Sequence, residues 1–201
     1  MKNYECKDIR NICLMGHGGS GKTSLVEAML FLSGGTDRMG KVADGNTVSD
    51  YDPEEIRRKI SISTTVLPVE WKNIKLNVID TPGYFDFAGE VIQGLHGADS
   101  ALIVLPAKDG VEVGVEKSFR YAKNRSLPTA FFISKLDEEN ADFHGTFDEL
   151  RSRFGNGICP LFIPVENGGK RGYVDVVRSK FKTYDKSGKE TVTDLPATLS
   201  D

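Results

Sequence analysis

The run Gly16-His17-Gly18-Gly19-Ser20-Gly21-Lys22-Thr23 constrains this chain more than any other feature, because it fits the pattern G-x-x-x-x-G-K-[ST]. It stands between an apolar run, Ile9 to Met15, and the stretch Lys22 to Leu32, in which Leu25, Ala28, Met29 and Leu32 fall at helical spacing. A strand, a glycine-rich turn and a helix in that order give the pattern its meaning. Glycines let backbone N–H groups wrap closely around phosphate, and the helix N-terminus favours an anion. Lys22 is then placed to reach the β- and γ-phosphates of a nucleotide, and the Thr23 hydroxyl to ligate Mg²⁺. Ser24 follows in the same turn and is counted with Gly16 to Thr23 as nucleotide-binding.

The remaining chain continues the alternation. Ile62 to Trp71 and Ile74 to Ile79 read as an antiparallel hairpin around Lys72-Asn73. Helices are expected over Phe87 to Leu95, Val111 to Asn124 and Phe143 to Phe154, and buried strands over Ala101 to Leu105 and Thr129 to Ile133. Strands alternating with helices predict an α/β protein with a parallel sheet. Thr36 to Lys59 is polar and aperiodic and reads as a long loop, of the kind that is functional or disordered, with Asp52, Glu54 and Glu55 in a solvated segment. From Cys159 the texture changes to short β-like runs, Leu161 to Val165, Gly172 to Val177 and Phe181 to Tyr184. The polar stretch Asp185 to Asp201 is expected to lack order.

Composition excludes several classes. A net charge of −3 gives no global basic field for nucleic acid. No run approaches the 18 or so apolar residues of a membrane span. Cys6, Cys13 and Cys159 form neither a disulfide framework nor a zinc signature, and reduced thiols suit the cytoplasm. Cys13 is expected to be buried, and Trp71 to serve packing.

Two later motifs supply what the phosphate cradle lacks. Asp80-Thr81-Pro82-Gly83 follows a strand, where Asp80 can hold Mg²⁺ and Gly83 can offer its N–H to a γ-phosphate. Ser134-Lys135-Leu136-Asp137 follows another strand. A carboxylate at Asp137 accepts hydrogen bonds from guanine N1–H and the exocyclic amine, while adenine offers no donor at either place. The Lys135 stem can pack over the base plane.

In this order the three motifs resemble those of GTPases, and finer detail resembles translation factors, elongation factor G in particular. The resemblance rests on Gly16-His17, on Arg58-Lys59-Ile60-Ser61-Ile62, on Asp80-Thr81-Pro82-Gly83-Tyr84-Phe85-Asp86-Phe87 and on Lys135-Leu136-Asp137 with Asn140 and Phe143. Leu161-Phe162-Ile163-Pro164 and Gly172 to Val177 are similar to the start of that family's insert subdomain, and the likeness covers roughly residues 9 to 185. It implies a Ras-like doubly wound P-loop NTPase fold, mostly parallel with one antiparallel strand. It also implies GTP/GDP and Mg²⁺ as cofactors, Ser61 as a further metal ligand, and ribosomal translocation or recycling as the task. The ribosome is the implied partner of the full-length protein, with no membrane and no DNA; the chain alone is expected to be monomeric and cytoplasmic.

Several departures qualify the likeness, among them Ser61 in place of the family's Thr. Tyr84 stands where the family has the His that serves hydrolysis, and a phenol is not an imidazole. Ser134 stands for Asn in the base motif, and Gly19 for an Asp. The family's last base-contacting motif is not found. The chain is therefore expected to be a GTPase domain over 1–158, short of its last strand and helix, with the start of an insert over 159–201. Lys22 and Tyr84 are the catalytic candidates. The alternatives are a hydrolysis-poor GTP switch, a ribosomal protection protein, and an ATPase or small-molecule kinase.

Overall fold

A computed structural model describes residues 2–167, 170–185 and 189–195. The apolar run after the N-terminal segment forms β1, Ile9–Met15, whose last residues are fully enclosed, Cys13 among them. β1 is the middle of a five-stranded sheet ordered β2-β3-β1-β4-β5. The other strands are β2 (Thr65–Trp71), β3 (Ile74–Asp80), β4 (Ser100–Pro106) and β5 (Thr129–Ser134). β3, β1, β4 and β5 run parallel, and β2 pairs antiparallel with β3 across the Lys72-Asn73 turn, where both residues adopt positive φ. The mostly parallel sheet with one antiparallel strand is as the sequence predicts.

Side-chain alternation assigns the two faces. Leu14, Val26, Leu30, Leu67, Val69, Val78 and Val104 form one core layer, joining α1 (Lys22–Leu32) to the sheet. Cys13 and Ile79 point the other way, toward α3 (Ala88–His96): a Cβ added at Gly94 would lie 3.1 Å from Ile79 and 3.5 Å from Cys13. α4 (Val113–Asn124) also packs against β4. Helices thus cover both faces, and the strand order reverses direction at β1. The crevice beyond the C-terminal end of β1 is where doubly wound sheets place ligands.

Three expectations change. Within the polar stretch read as a loop, α2 spans Pro53–Arg58. Asp52 and Glu55 form a reciprocal capping box and Pro53 opens the first turn, local chemistry that outweighs the missing apolar period. Glu55 is buried rather than solvated, because its carboxylate accepts the backbone N–H groups of Ile62 (2.8 Å) and Ser63 (3.0 Å). Trp71 is half exposed rather than packed, at the end of the edge strand beside Lys72.

The chain forms two compact units that divide between Thr146 and Phe147, within α5, Phe143–Phe154. The second unit holds a four-stranded antiparallel meander: β6 (Phe162–Asn167), β7 (Lys170–Asp175), β8 (Lys180–Tyr184) and β9 (Glu190–Asp194). Val174 and Phe181 are buried in it, as is Asp175, which meets Lys182 at 3.3 Å and Arg178 at 3.1 Å. β9 lies in the stretch expected to lack order; the alternating residues of Thr191-Val192-Thr193 suit an edge strand paired to β8. Residues 186–188 and 196–201, covered by the same expectation, lie outside the described residues.

Candidate functional site

The loop leaving β1 turns through positive φ at Gly16 (141°), Gly19 (79°) and Gly21 (96°), conformations that L side chains rarely adopt. Space reinforces the requirement at Gly16, where a Cβ would lie 2.2 Å from the Val104 carbonyl oxygen. The loop then feeds α1, with Gly21 at its N-cap. Lys22 folds back beneath the loop, donating from Nζ to the carbonyl oxygens of His17 (2.8 Å) and Gly16 (3.2 Å). Burial lowers its pKa to about 8, against the opposing pull of Asp80, Asp50 and Glu112.

The residues expected on the metal side converge although they come from three segments. Thr23 Oγ1 donates to Asp80 Oδ2 at 2.8 Å and lies 3.2 Å from Ser61 Oγ. Two residues the sequence reading missed complete the cluster: Ser49 Oγ donates to Asp80 Oδ2 at 2.7 Å, and Ser61 Oγ donates to Asp50 Oδ1 at 2.7 Å. Burial raises the pKa of both Asp80 and Asp50, opposed at Asp80 by Ser49, Thr23 and Lys22 and at Asp50 by Ser61. No sequence spacing marks Ser49 or Asp50, because they reach the site only through the path of the loop before α2.

This donor set fits a small hard cation. With the protons of Thr23 and Ser61 directed to Asp80 and Asp50, the two hydroxyl oxygens turn lone pairs toward each other across 3.2 Å. Oxygens on one edge of an octahedral Mg²⁺ shell stand about 2.9 Å apart. Asp80 Oδ1 is buried without a hydrogen-bond partner, an acceptor that a cation or its water would satisfy. Two carboxylates with hydroxyls match Mg²⁺, which uses few protein ligands and completes its shell with phosphate and water. Among the described residues no group of three or more His, Cys, Asp or Glu could hold a metal ion.

A cleft of about 200 Å³ opens over the loop, lined by Gly18, Lys22, Thr23, Asp50, Ser61 and Tyr84 among others. Gly83 closes one side so tightly that a Cβ there would lie 2.5 Å from Lys22 Nζ and 2.7 Å from Gly18 N. The Tyr84 ring covers Gly18: a Cβ on Gly18 would meet ring carbons at 2.9 Å and 3.0 Å. His17 sits at the loop's outer edge, its Nε2 3.6 Å from Glu112 and its ring edge-on to Phe85.

The base motif begins at the same place. Ser134 Oγ ends β5 within 2.8 Å of the Ser20 carbonyl oxygen and 3.2 Å of the Leu105 carbonyl oxygen. Its single proton ties the strand to the phosphate loop or to β4, one at a time. Lys135 follows with positive φ (56°) and pairs with Glu138 at 3.3 Å, and Asp137 is exposed. Ser24 lines the cleft beside Thr23.

The fold recurs in known proteins. Residues 7–197 match the family described as the elongation factor Tu GTP binding domain. The chain is 37% identical to the mitochondrial ribosome-releasing factor 2 of Anopheles gambiae over 91% of its length, which is 25% of that protein. It is 38% identical to an elongation factor G-like protein of Mycobacterium tuberculosis (80% of this chain, 22% of that protein). With elongation factor G of Mycoplasma genitalium it shares 33% identity (97% and 28%). It thus spans between 22% and 28% of the length of these relatives. A crystal structure of a Thermus thermophilus protein superposes with a TM-score of 0.88 at 37% identity, over 94% of this chain and 28% of that one. A bacterial selenocysteine-specific elongation factor shares the fold, with a TM-score of 0.60 at 23% identity over 72% of this chain and 23% of that one.

Proposed function

Because the chain belongs to the elongation factor Tu GTP-binding domain family, we propose that it binds GTP and GDP with Mg²⁺ and hydrolyses GTP as the nucleotide-binding part of an elongation factor G-like protein at work on the ribosome. In this reading residues 1–158 form the GTPase part, 159–201 begin an insert, and the protein is cytoplasmic. The observation that carries it is the convergence of Thr23, Asp80 and Ser61 beside Lys22 at the crevice beyond β1.

Phosphoryl transfer needs positioning and charge stabilisation more than covalent chemistry from the protein. The backbone N–H groups of the loop from Gly18 to Thr23 bind the β-phosphate. Lys22 exchanges the His17 and Gly16 carbonyls for phosphate oxygens and neutralises charge as it grows on the γ-phosphoryl group. Gly83, already against Lys22 and Gly18, offers its N–H to the γ-phosphate. Bound Mg²⁺, held by Thr23, Ser61 and Asp80, would supply electrostatic stabilisation of the phosphate oxygens. Asp137 selects guanine through its two donors, and Lys135 covers the base.

One observation favours a second reading, a switch that holds GTP with little hydrolysis. Tyr84 lies over Gly18 at the mouth of the cleft, and its phenol cannot serve as imidazole does. Turnover of GTP by the 201-residue chain, alone and with ribosomes, separates the two when wild type is compared with Tyr84→His. Ribosome-stimulated turnover in wild type supports the hydrolase. Turnover gained only with His supports the switch, and preference for ATP would refute both.

A further inference from the structure

Glu27 is completely buried in α1 and lies outside the lining of the nucleotide cleft. Its carboxylate accepts three backbone N–H groups, from Gly40 at 3.1 Å, Val48 at 2.6 Å and Ser49 at 3.4 Å. All three donors belong to the connection between α1 and α2, so the carboxylate closes that long segment onto the helix that carries Lys22 and Thr23. A buried carboxylate costs several kcal/mol unless its oxygens are satisfied, so the arrangement tolerates few alternatives. The fit is close at the far end too. A Cβ on Gly40 would lie 2.4 Å from Glu27 Oε2 and 2.9 Å from the Asn46 carbonyl oxygen.

What Glu27 holds in place is the metal side of the site. Ser49, whose N–H it receives, donates its hydroxyl to Asp80 Oδ2, and its carbonyl oxygen accepts from Thr65 Oγ1 at 3.0 Å. The next residue, Asp50, accepts the Ser61 hydroxyl. The loop therefore enters the cluster through Ser49 and Asp50. Beyond α2, Glu55 independently ties that helix to the segment that follows it, at Ile62 and Ser63. We propose that Glu27 is a positioning residue that fixes the loop between α1 and α2 so that Ser49 and Asp50 complete the cation side of the site, and thereby sets the Mg²⁺ concentration that nucleotide binding requires. This rests on the nucleotide-binding reading above. Glu27 touches neither nucleotide nor metal; it acts through Ser49.

Two substitutions attack the latch from opposite sides. Glu27→Gln keeps shape but replaces one accepting oxygen by a donating amide NH2, leaving a loop N–H without its acceptor. Gly40→Ala pushes on the carboxylate without altering it. Ser49→Ala removes only the last link. Fluorescent GDP is titrated into the 201-residue chain over a series of Mg²⁺ concentrations and in EDTA, and tryptic cleavage after the exposed Arg38 and Lys41 is timed without nucleotide. The expected result is a roughly tenfold higher Mg²⁺ half-saturation in all three variants, the effect of losing one charge-assisted hydrogen bond. Affinity in EDTA should stay within about twofold of wild type on the same reasoning. Cleavage should be faster in Glu27→Gln and Gly40→Ala and unchanged in Ser49→Ala. Equal loss of affinity with and without Mg²⁺ would reduce Glu27 to a core stabiliser and overturn the proposal, as would an unchanged Mg²⁺ requirement. If the wild type binds no guanine nucleotide, the functional reading fails on its own. Cleavage then decides for Glu27: unaltered rates in both latch variants overturn it.

Discussion

Replacing Gly83 by Ala tests how tightly the segment after Asp80 is fitted to the phosphate loop. The added Cβ would stand 2.5 Å from Lys22 Nζ, 2.7 Å from Gly18 N and 2.8 Å from Gly18 Cα. Ordinary contacts of this kind need about 3.4–4 Å, so roughly 1 Å must be found against each of two residues, Lys22 and Gly18. The Lys22 ammonium can retreat, but Gly18 is backbone and is itself covered by Tyr84. Overpacking of this kind costs about 1–3 kcal/mol. Here the movable part is the nucleotide cradle, so the cost falls on binding and amounts to a loss of roughly tenfold to a hundredfold in affinity. Gly89 in α3 is the matched control. A Cβ there meets nothing within 4 Å, and Ala in place of Gly in a helix adds about 0.5–1 kcal/mol of stability. The assay is titration with fluorescent GDP and GTP alongside chemical denaturation. Gly83→Ala should lose affinity with a nearly unchanged unfolding midpoint, and Gly89→Ala should gain stability at unchanged affinity. Wild-type affinity in Gly83→Ala would refute the placement of Gly83 against Lys22.

Two other predictions concern single side chains. In the role proposed for it Lys22 must be protonated to hold phosphate, and in the nucleotide-free chain it gives up its proton near pH 8 rather than 10.5. GDP affinity should therefore fall above pH 8, by up to about tenfold per unit. In the same window the unfolded chain binds the extra proton, so this group makes stability rise between pH 8 and 10.5, and Lys22→Met should abolish that rise. Lys59 ends α2 in the left-handed region, at φ 57°. Lys59→Gly should relieve up to about 1 kcal/mol of strain, seen as a higher denaturation midpoint.

Much of this was legible because several signals agreed locally. The bounds of β1 and α1 follow from an apolar run, a glycine-rich turn and helical spacing, and the phosphate loop needs all three. Thr23 and Asp80 are nameable because each sits in a motif with fixed chemistry, and Ser61 only through the family resemblance of its segment. Glu27, Ser49 and Asp50 were not, because their roles come from tertiary contacts: a carboxylate in an ordinary helix pattern gives no hint that it will accept backbone N–H groups from a distant loop. α2 was missed for a different reason. At six residues it is too short to show a period, and the signal present, Asp52-Pro53 with Glu55, was a capping signal. The same local reading took Glu55 for a solvated acid, although Ile62 and Ser63 bury it.

The crevice beyond β1 is proposed to be a guanine-nucleotide site built on Lys22. The most direct measurement is displacement of fluorescent GDP from this chain by GDP, GTP and ATP in the presence of Mg²⁺, with Lys22→Ala as control. Displacement by GDP and GTP is expected, none by ATP at comparable concentrations, and no binding to the variant. Displacement by ATP as effective as by GTP would contradict the base reading by Asp137, and undiminished binding by Lys22→Ala would contradict the cradle itself.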